Sequence, residues 1–134
     1  MKKFFFLIFC TATLFCKAQT SQPLDTVKAY GNYENIYLRK LYSDSLVSSF
    51  VIFIKKEVKA HRHVYHTEQV VILDGEGEML IGDKKSSVRK GDILFIPKGT
   101  LHSLKVLSPT PIKVLSIQAP FFDGKDRVMA DESK

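Results

Sequence analysis

After residue 32 the chain never holds a helical period. It runs as short β-type stretches, each stopped after a few residues by a Gly, Pro or Asp turn. "ENIYLRKLY" alternates loosely through Ile36, Leu38 and Leu41, and "SLVSSFVIFI" is a near-continuous apolar run of the kind buried on both faces. "EQVVIL" stops at Asp74-Gly75-Glu76-Gly77, which reads as a hairpin returning through "EMLI". Gly82-Asp83-Lys84-Lys85, Arg89-Lys90-Gly91-Asp92, Pro97-Lys98-Gly99 and Pro109-Thr110-Pro111 part the remaining runs. Strands this short and this regularly punctuated predict an all-β antiparallel sandwich or barrel with one core.

The N-terminus has a different build. Lys2 and Lys3 precede an apolar run from Phe4 to Phe15, and Cys16-Lys17-Ala18 sets small residues at −3 and −1 of a cleavage before Gln19. The run is shorter than the roughly 20 residues a bilayer span needs, and no second candidate follows. Residues 1–18 therefore read as an export signal, with lipidation of Cys16 as the alternative. Both cysteines, Cys10 and Cys16, lie within it, so the remaining 116 residues hold no thiol. Loss of Lys2, Lys3 and Lys17 leaves 17 basic against 14 acidic residues, a net +3 that argues against nucleic acid as the partner. We expect a periplasmic protein, with secretion or a lipid anchor as variants. Residues 19–33 read as a mobile arm, 34–120 as the folded domain and 121–134 as a tail that frays, apart from Phe121 and Phe122, which should pack.

The chemistry concentrates in "HRHVYHTE", where His61, His63 and His66 hold three of the chain's four histidines beside Glu68. On a strand, His61 and His63 point to one face and Arg62 to the other. Two imidazoles so placed reach one ion, a bend brings Glu68 alongside, and an inward-facing His102 supplies a fourth donor. The plain alternative is a basic, histidine-rich loop.

At these spacings the chain resembles the cupin family. "HRHVYHTEQVVILDG" matches its first motif: His61, x, His63, four residues, Glu68, six residues, Gly75. "GDILFIPKGTLHSLKV" matches the second: Gly91, five residues, Pro97, x, Gly99, two residues, His102. Lys55 stands where the first motif usually opens with Gly, and Val106 where the second usually ends with Asn. The resemblance implies a double-stranded β-helix, a jelly-roll barrel, with His61, His63, Glu68 and His102 as metal ligands. Such a mixed set suits divalent Mn, Fe, Co, Ni, Cu or Zn and leaves coordination positions open, as a catalytic ion requires. His66 fits no ligand position and is expected to be exposed or to act from outside the ligand set.

Tyr65, at the pocket mouth or simply packed, and Phe53 and Phe95, with core packing as their alternative, are the candidate substrate contacts. Lys55, Lys56, Lys84 and Lys85 read as solvated sheet edges. Two functions follow. One is a small metal-dependent enzyme of dioxygenase, isomerase or lyase type. The other is a non-catalytic module that binds a small sugar-like or acidic ligand, or stores or senses metal. The two apolar faces of "FVIFI" call for a cover, by the arm or by a second subunit, and a homodimer is expected.

Overall fold

The computed structural model describes residues 21–130; the expected export signal, both cysteines and the "DESK" ending lie outside the described residues. Among the described residues there are ten strands and one 3₁₀ turn, Leu24–Thr26. The strands are β1 (Ile36–Ser43), β2 (Ser48–Ile54), β3 (Glu57–Arg62), β4 (Thr67–Asp74), β5 (Glu76–Ile81), β6 (Lys84–Arg89), β7 (Ile93–Ile96), β8 (His102–Val106), β9 (Ile112–Ala119) and β10 (Val128–Met129). One sheet has the order β1-β2-β9-β4-β7 and the other β10-β3-β8-β5-β6, with every pair antiparallel. From β3 onward the chain passes repeatedly between the two sheets, which makes the all-β double-stranded β-helix that the sequence predicts. Among the described residues no helix is long and apolar enough to cross a membrane.

That alternation corrects the expected hairpin at Asp74–Gly77. β4 pairs with β7 and β9, whereas β5 pairs with β6 and β8, so the turn carries the chain from one sheet to the other. The corner is tight. Gly75 has φ +82°, and a Cβ there would come within 2.9 Å of the Ile112 Cα. A Cβ on Gly77 would meet the Lys105 carbonyl at 2.8 Å. The true two-residue hairpin is the next one, where Ile81 faces Lys84 across Gly82-Asp83.

Alternation along each strand zones the barrel interior. On β9 the buried positions run Ile112, Val114, Ser116, Gln118, and on β4 they run Ile72, Val70, Glu68. The register sets Ile72 opposite Val114 and Glu68 opposite Gln118. One end is thus an apolar core that includes Ile54, Ile72, Met79, Val88 and Ile112, and the other gathers the polar side chains, with Ile96 beside Glu68. Each buried core side chain contributes roughly 1.5–3 kcal/mol, so the apolar end carries the fold and leaves the polar end for a site.

Both chain ends depart from expectation. The arm is held, with Val27 1% exposed and the Lys113 ammonium donating to the carbonyls of Leu24 and Val27. Lys113 also lies over the Phe53 ring, so the arm supplies cover near the outer face of β2. The tail does not fray after Gln118. β10 adds to the edge of β3, with Val128 opposite Arg62 and Met129 opposite His61. Lys84 and Lys85 stand exposed on the edge strand β6, as expected of sheet-edge lysines.

Gly77→Ala should destabilise the fold by about 1–3 kcal/mol, because its Cβ meets backbone that cannot yield. Urea unfolding checks this, and an unchanged midpoint would contradict the sheet-crossing corner.

Candidate metal centre

His61 lies near the end of β3, His102 opens β8 directly opposite it, His63 follows β3, and Glu68 sits on β4 in the facing sheet. A bulge makes this possible. Val58 pairs with Leu104 and His61 with His102, so β3 spans three steps where β8 spans two. Residues three apart on a regular strand face opposite ways; the bulge lets Val58 and His61 line the same cavity.

The three imidazoles offer nitrogens that lie within 4.8 Å of one another. The Glu68 Oε2 is 3.6 Å from the His63 Nε2 and 3.4 Å from the His102 Nε2. Donors around one transition-metal ion sit roughly 3–4 Å apart, so the spacing fits. The outer nitrogens explain the orientation. His61 Nδ1–H donates to the Lys59 carbonyl at 2.8 Å, His102 Nδ1–H to Thr100 at 2.9 Å, and His63 Nδ1–H to Asp126. A carbonyl only accepts, so each ring keeps its proton on Nδ1 and turns Nε2 inward. The His102 Nε2 is buried with no hydrogen-bond partner. An orphaned, buried acceptor facing two more imidazoles and a carboxylate is the donor set of a metal site.

The electrostatics agree. Burial, with His102 beside it, brings His61 down to about 4, so this ring is neutral near pH 7. Burial also opposes charge on His63, but Glu68 and the Asp126 carbonyl outweigh it and raise the ring above its ordinary value. Burial likewise opposes ionisation of Glu68. His102, His63 and the Ser116 hydroxyl, which donates to Oε1 at 2.5 Å, overcome it and hold the carboxyl well below the usual range. The site therefore presents a carboxylate and a neutral His61, while His63 takes up a proton more readily than an ordinary imidazole.

The other expected residues divide. His66 is outside the ligand set, as expected, but it is buried at 8% exposure. Its Nδ1 meets the Asp126 Oδ2 at 2.5 Å and its Nε2 the Phe121 carbonyl at 2.9 Å, so neither nitrogen is left for an ion. Tyr65 is 73% exposed on the loop and does not line the cavity. Phe53 and Phe95 correct the expectation of substrate contact. Their neighbours Ile52, Ile54, Leu94 and Ile96 line the cavity, so alternation turns both rings to the outer face. Phe53 packs edge-on with Tyr37 there, and Phe95 is 58% exposed.

The residues missed by the sequence reading lie in the supposed tail. The Asp126 carboxylate accepts the backbone N–H groups of Val64, Tyr65 and His66, at 2.9, 2.8 and 3.2 Å, besides the His66 ring. Although burial opposes its charge, the His66 ring and the Tyr65 and Val64 amides bring this carboxyl down to about 2. Phe122 stacks edge-on against both His63 and His66. The strap thus fixes the loop that holds His63 and walls the site with Phe122 and Arg127. Its polar "DGKDR" has a turn composition and no period, which gave no signal for these contacts.

Fold and site together define a jelly roll, two antiparallel sheets with three inward imidazoles and a carboxylate at one end that could hold a metal ion. Residues 50–118 match the Cupin domain family, and the chain belongs to it. An uncharacterized protein of Aquifex aeolicus (strain VF5) is 35% identical over 101 residues, covering 75% of this chain and 83% of that one. Mannose-1-phosphate guanylyltransferase RfbM of Salmonella typhimurium is 26% identical over 113 residues, which is 84% of this chain but 23% of that enzyme. The structure of KdgF from Halomonas sp. superposes with a TM-score of 0.68 at 16% identity, covering 79% of this chain and 97% of that one.

Substitution separates ligands from supports. His61→Ala or His102→Ala should abolish most metal binding, and His66→Ala should reduce it far less, by metal content after dialysis. Asp126→Ala should weaken affinity about 10–100-fold without removing a ligand. If His66→Ala emptied the site as fully as His61→Ala, the ligand set would be wrong.

Acidity should act through His63. Its raised folded value stabilises the metal-free fold below the unfolded 6.5, and that contribution fades as pH rises through the folded value. With an ion the dependence reverses, because the ion replaces the proton. Calorimetry in buffers of different ionisation enthalpy should show more proton release on metal uptake at about pH 6 than at about pH 8. Equal release would assign the proton elsewhere.

Proposed function

We propose that this cupin is a metal-dependent enzyme acting on a small oxygenated molecule, of dioxygenase, isomerase or lyase type. The observation that carries the reading is the continuity of site and cavity. His61, His63, Glu68 and His102 form part of the wall of one cavity of about 220 Å³, whose remaining lining is mostly apolar. That volume lies below the roughly 300–1,000 Å³ typical of drug-sized ligands, so the occupant is small. When bound at these four residues, a divalent Mn, Fe, Ni, Cu or Zn ion supplies Lewis-acid or redox chemistry. The chain's own part is to turn the imidazole Nε2 atoms inward, keep Glu68 ionised and exclude water with Ile52, Ile54, Val70, Ile96 and Val114.

A second reading is a non-catalytic module for a small acidic or sugar-like ligand, or for metal itself. It is favoured by the lack of proton carriers: beyond the ligands, Gln118, Ser103 and Arg127 are the polar side chains lining the cavity. Tyr65 is outside the cavity, and both nitrogens of His66 are taken.

Export to the periplasm rests on the residue 1–18 pattern. A homodimer is supported by Ile93 and Phe95, 66% and 58% exposed on the outer face of the edge strand β7. A monomer mass by light scattering would count against it.

Metal analysis of the purified protein, followed by small oxygenated substrates with oxygen uptake and product analysis, tests the enzyme reading. A transition metal near one per chain and turnover lost in His102→Ala is the expected result. Metal binding with no turnover across the series would favour the module.

A further inference from the structure

The cavity is apolar over most of its wall, and its polar groups are few enough to be read one by one. The register of β10 decides where Arg127 lies. Val128 faces Arg62 and Met129 faces His61, so one step back along this antiparallel pair Arg127 falls beside His63. Side chains opposite one another share a face, and His63 faces the cavity. Arg127 accordingly lines the cavity at its mouth and is the only cationic side chain besides the imidazoles to do so among the described residues. Its guanidinium forms no ion pair or hydrogen bond with any described residue, although the Glu68 carboxylate acts on it through space and favours its charge against burial. Its charge nonetheless reaches the site, being one of the influences that lower His61.

Gln118 is the second free group. Its Nε2 is 3.4 Å from the Glu68 Oε1, which can only accept, so the amide nitrogen is fixed towards Glu68 and the carbonyl turned away. The Gln118 Oε1 is buried with no hydrogen-bond partner. The wall therefore offers a bidentate anion receptor at the mouth and a buried acceptor that needs a donor, within an otherwise apolar lining.

We propose that the cavity takes a small aliphatic hydroxy acid, its carboxylate on Arg127 and its hydroxyl donating to the Gln118 carbonyl. Arg127 is then a specificity-determining residue carried by the C-terminal strap. This deepens the metal-dependent reading and rests on it only for the chemistry that follows binding. A neutral sugar would make no use of the guanidinium charge, and an acid without a hydroxyl would leave the buried Gln118 oxygen orphaned.

The test titrates three compounds, 2-hydroxybutyrate, 2-hydroxybutyramide and butyrate, into the zinc-loaded protein by calorimetry, with zinc content measured first. Wild type should bind the hydroxy acid at least roughly tenfold more tightly than the neutral amide, and more tightly than butyrate, in keeping with a hydrogen bond to a charged group. Arg127→Gln should erase the preference over the amide while keeping zinc content and melting temperature, and Arg127→Lys should restore part of it. Equal binding of acid and amide by wild type, no binding of either, or an undiminished preference in Arg127→Gln would overturn the proposal. So would a preference that chloride abolishes in wild type, since that marks an adventitious anion at the mouth. Failure of the metal reading is separate. A wild type that holds no zinc refutes that reading, while the same titrations on the metal-free protein still decide the role of Arg127.

Discussion

Everything at the open end of the barrel depends on where three buried imidazoles place their Nδ1 protons. Each donates to a backbone carbonyl, and two of those carbonyls, Lys59 and Thr100, lie two residues before the ring they orient. The strand that delivers the imidazole therefore also sets its tautomer. His63 is the exception: its carbonyl comes from Asp126, in a segment remote in sequence. Two rings are set locally and the third depends on a tertiary contact, so the strap is part of the site.

The zoning of the interior makes this arrangement tolerable. Buried polar groups cost free energy unless paired. Here they are gathered at one end, where Glu68 is held by Ser116 and faces two imidazoles. The other end is uniformly aliphatic. The grading follows from plain alternation, since β4 and β9 each change from aliphatic to polar along one face in register with one another.

How much was legible in the sequence can be judged residue by residue. The convergence of His61, His63, Glu68 and His102 was, because x-separated histidines share a face of any strand and the spacings to Glu68 and His102 are themselves informative. The β class was legible from turn residues at short intervals. The turn at Gly75 was misread because a Gly-rich turn has the same composition whether it closes a hairpin or crosses between sheets; only the pairing of β4 and β5 with different partners distinguishes them. Phe53 and Phe95 were misplaced because a fully apolar run such as "FVIFI" does not declare which parity faces the core. Asp126 and Arg127 act across about 60 residues of chain, and no local pattern encodes such a contact.

The strap also orders events in time. A polypeptide made from its N-terminus presents β1 to β9, and with them His61, Glu68 and His102, before Asp126 exists. Both sheets can assemble without it, because β10 merely adds to an edge. Orientation of His63, by a carbonyl sixty-three positions downstream, is a contact of the longest range in the site, and closing so long a loop is entropically the most demanding. The site is thus among the last features of the molecule to mature, its third imidazole oriented only once the barrel around it is already built.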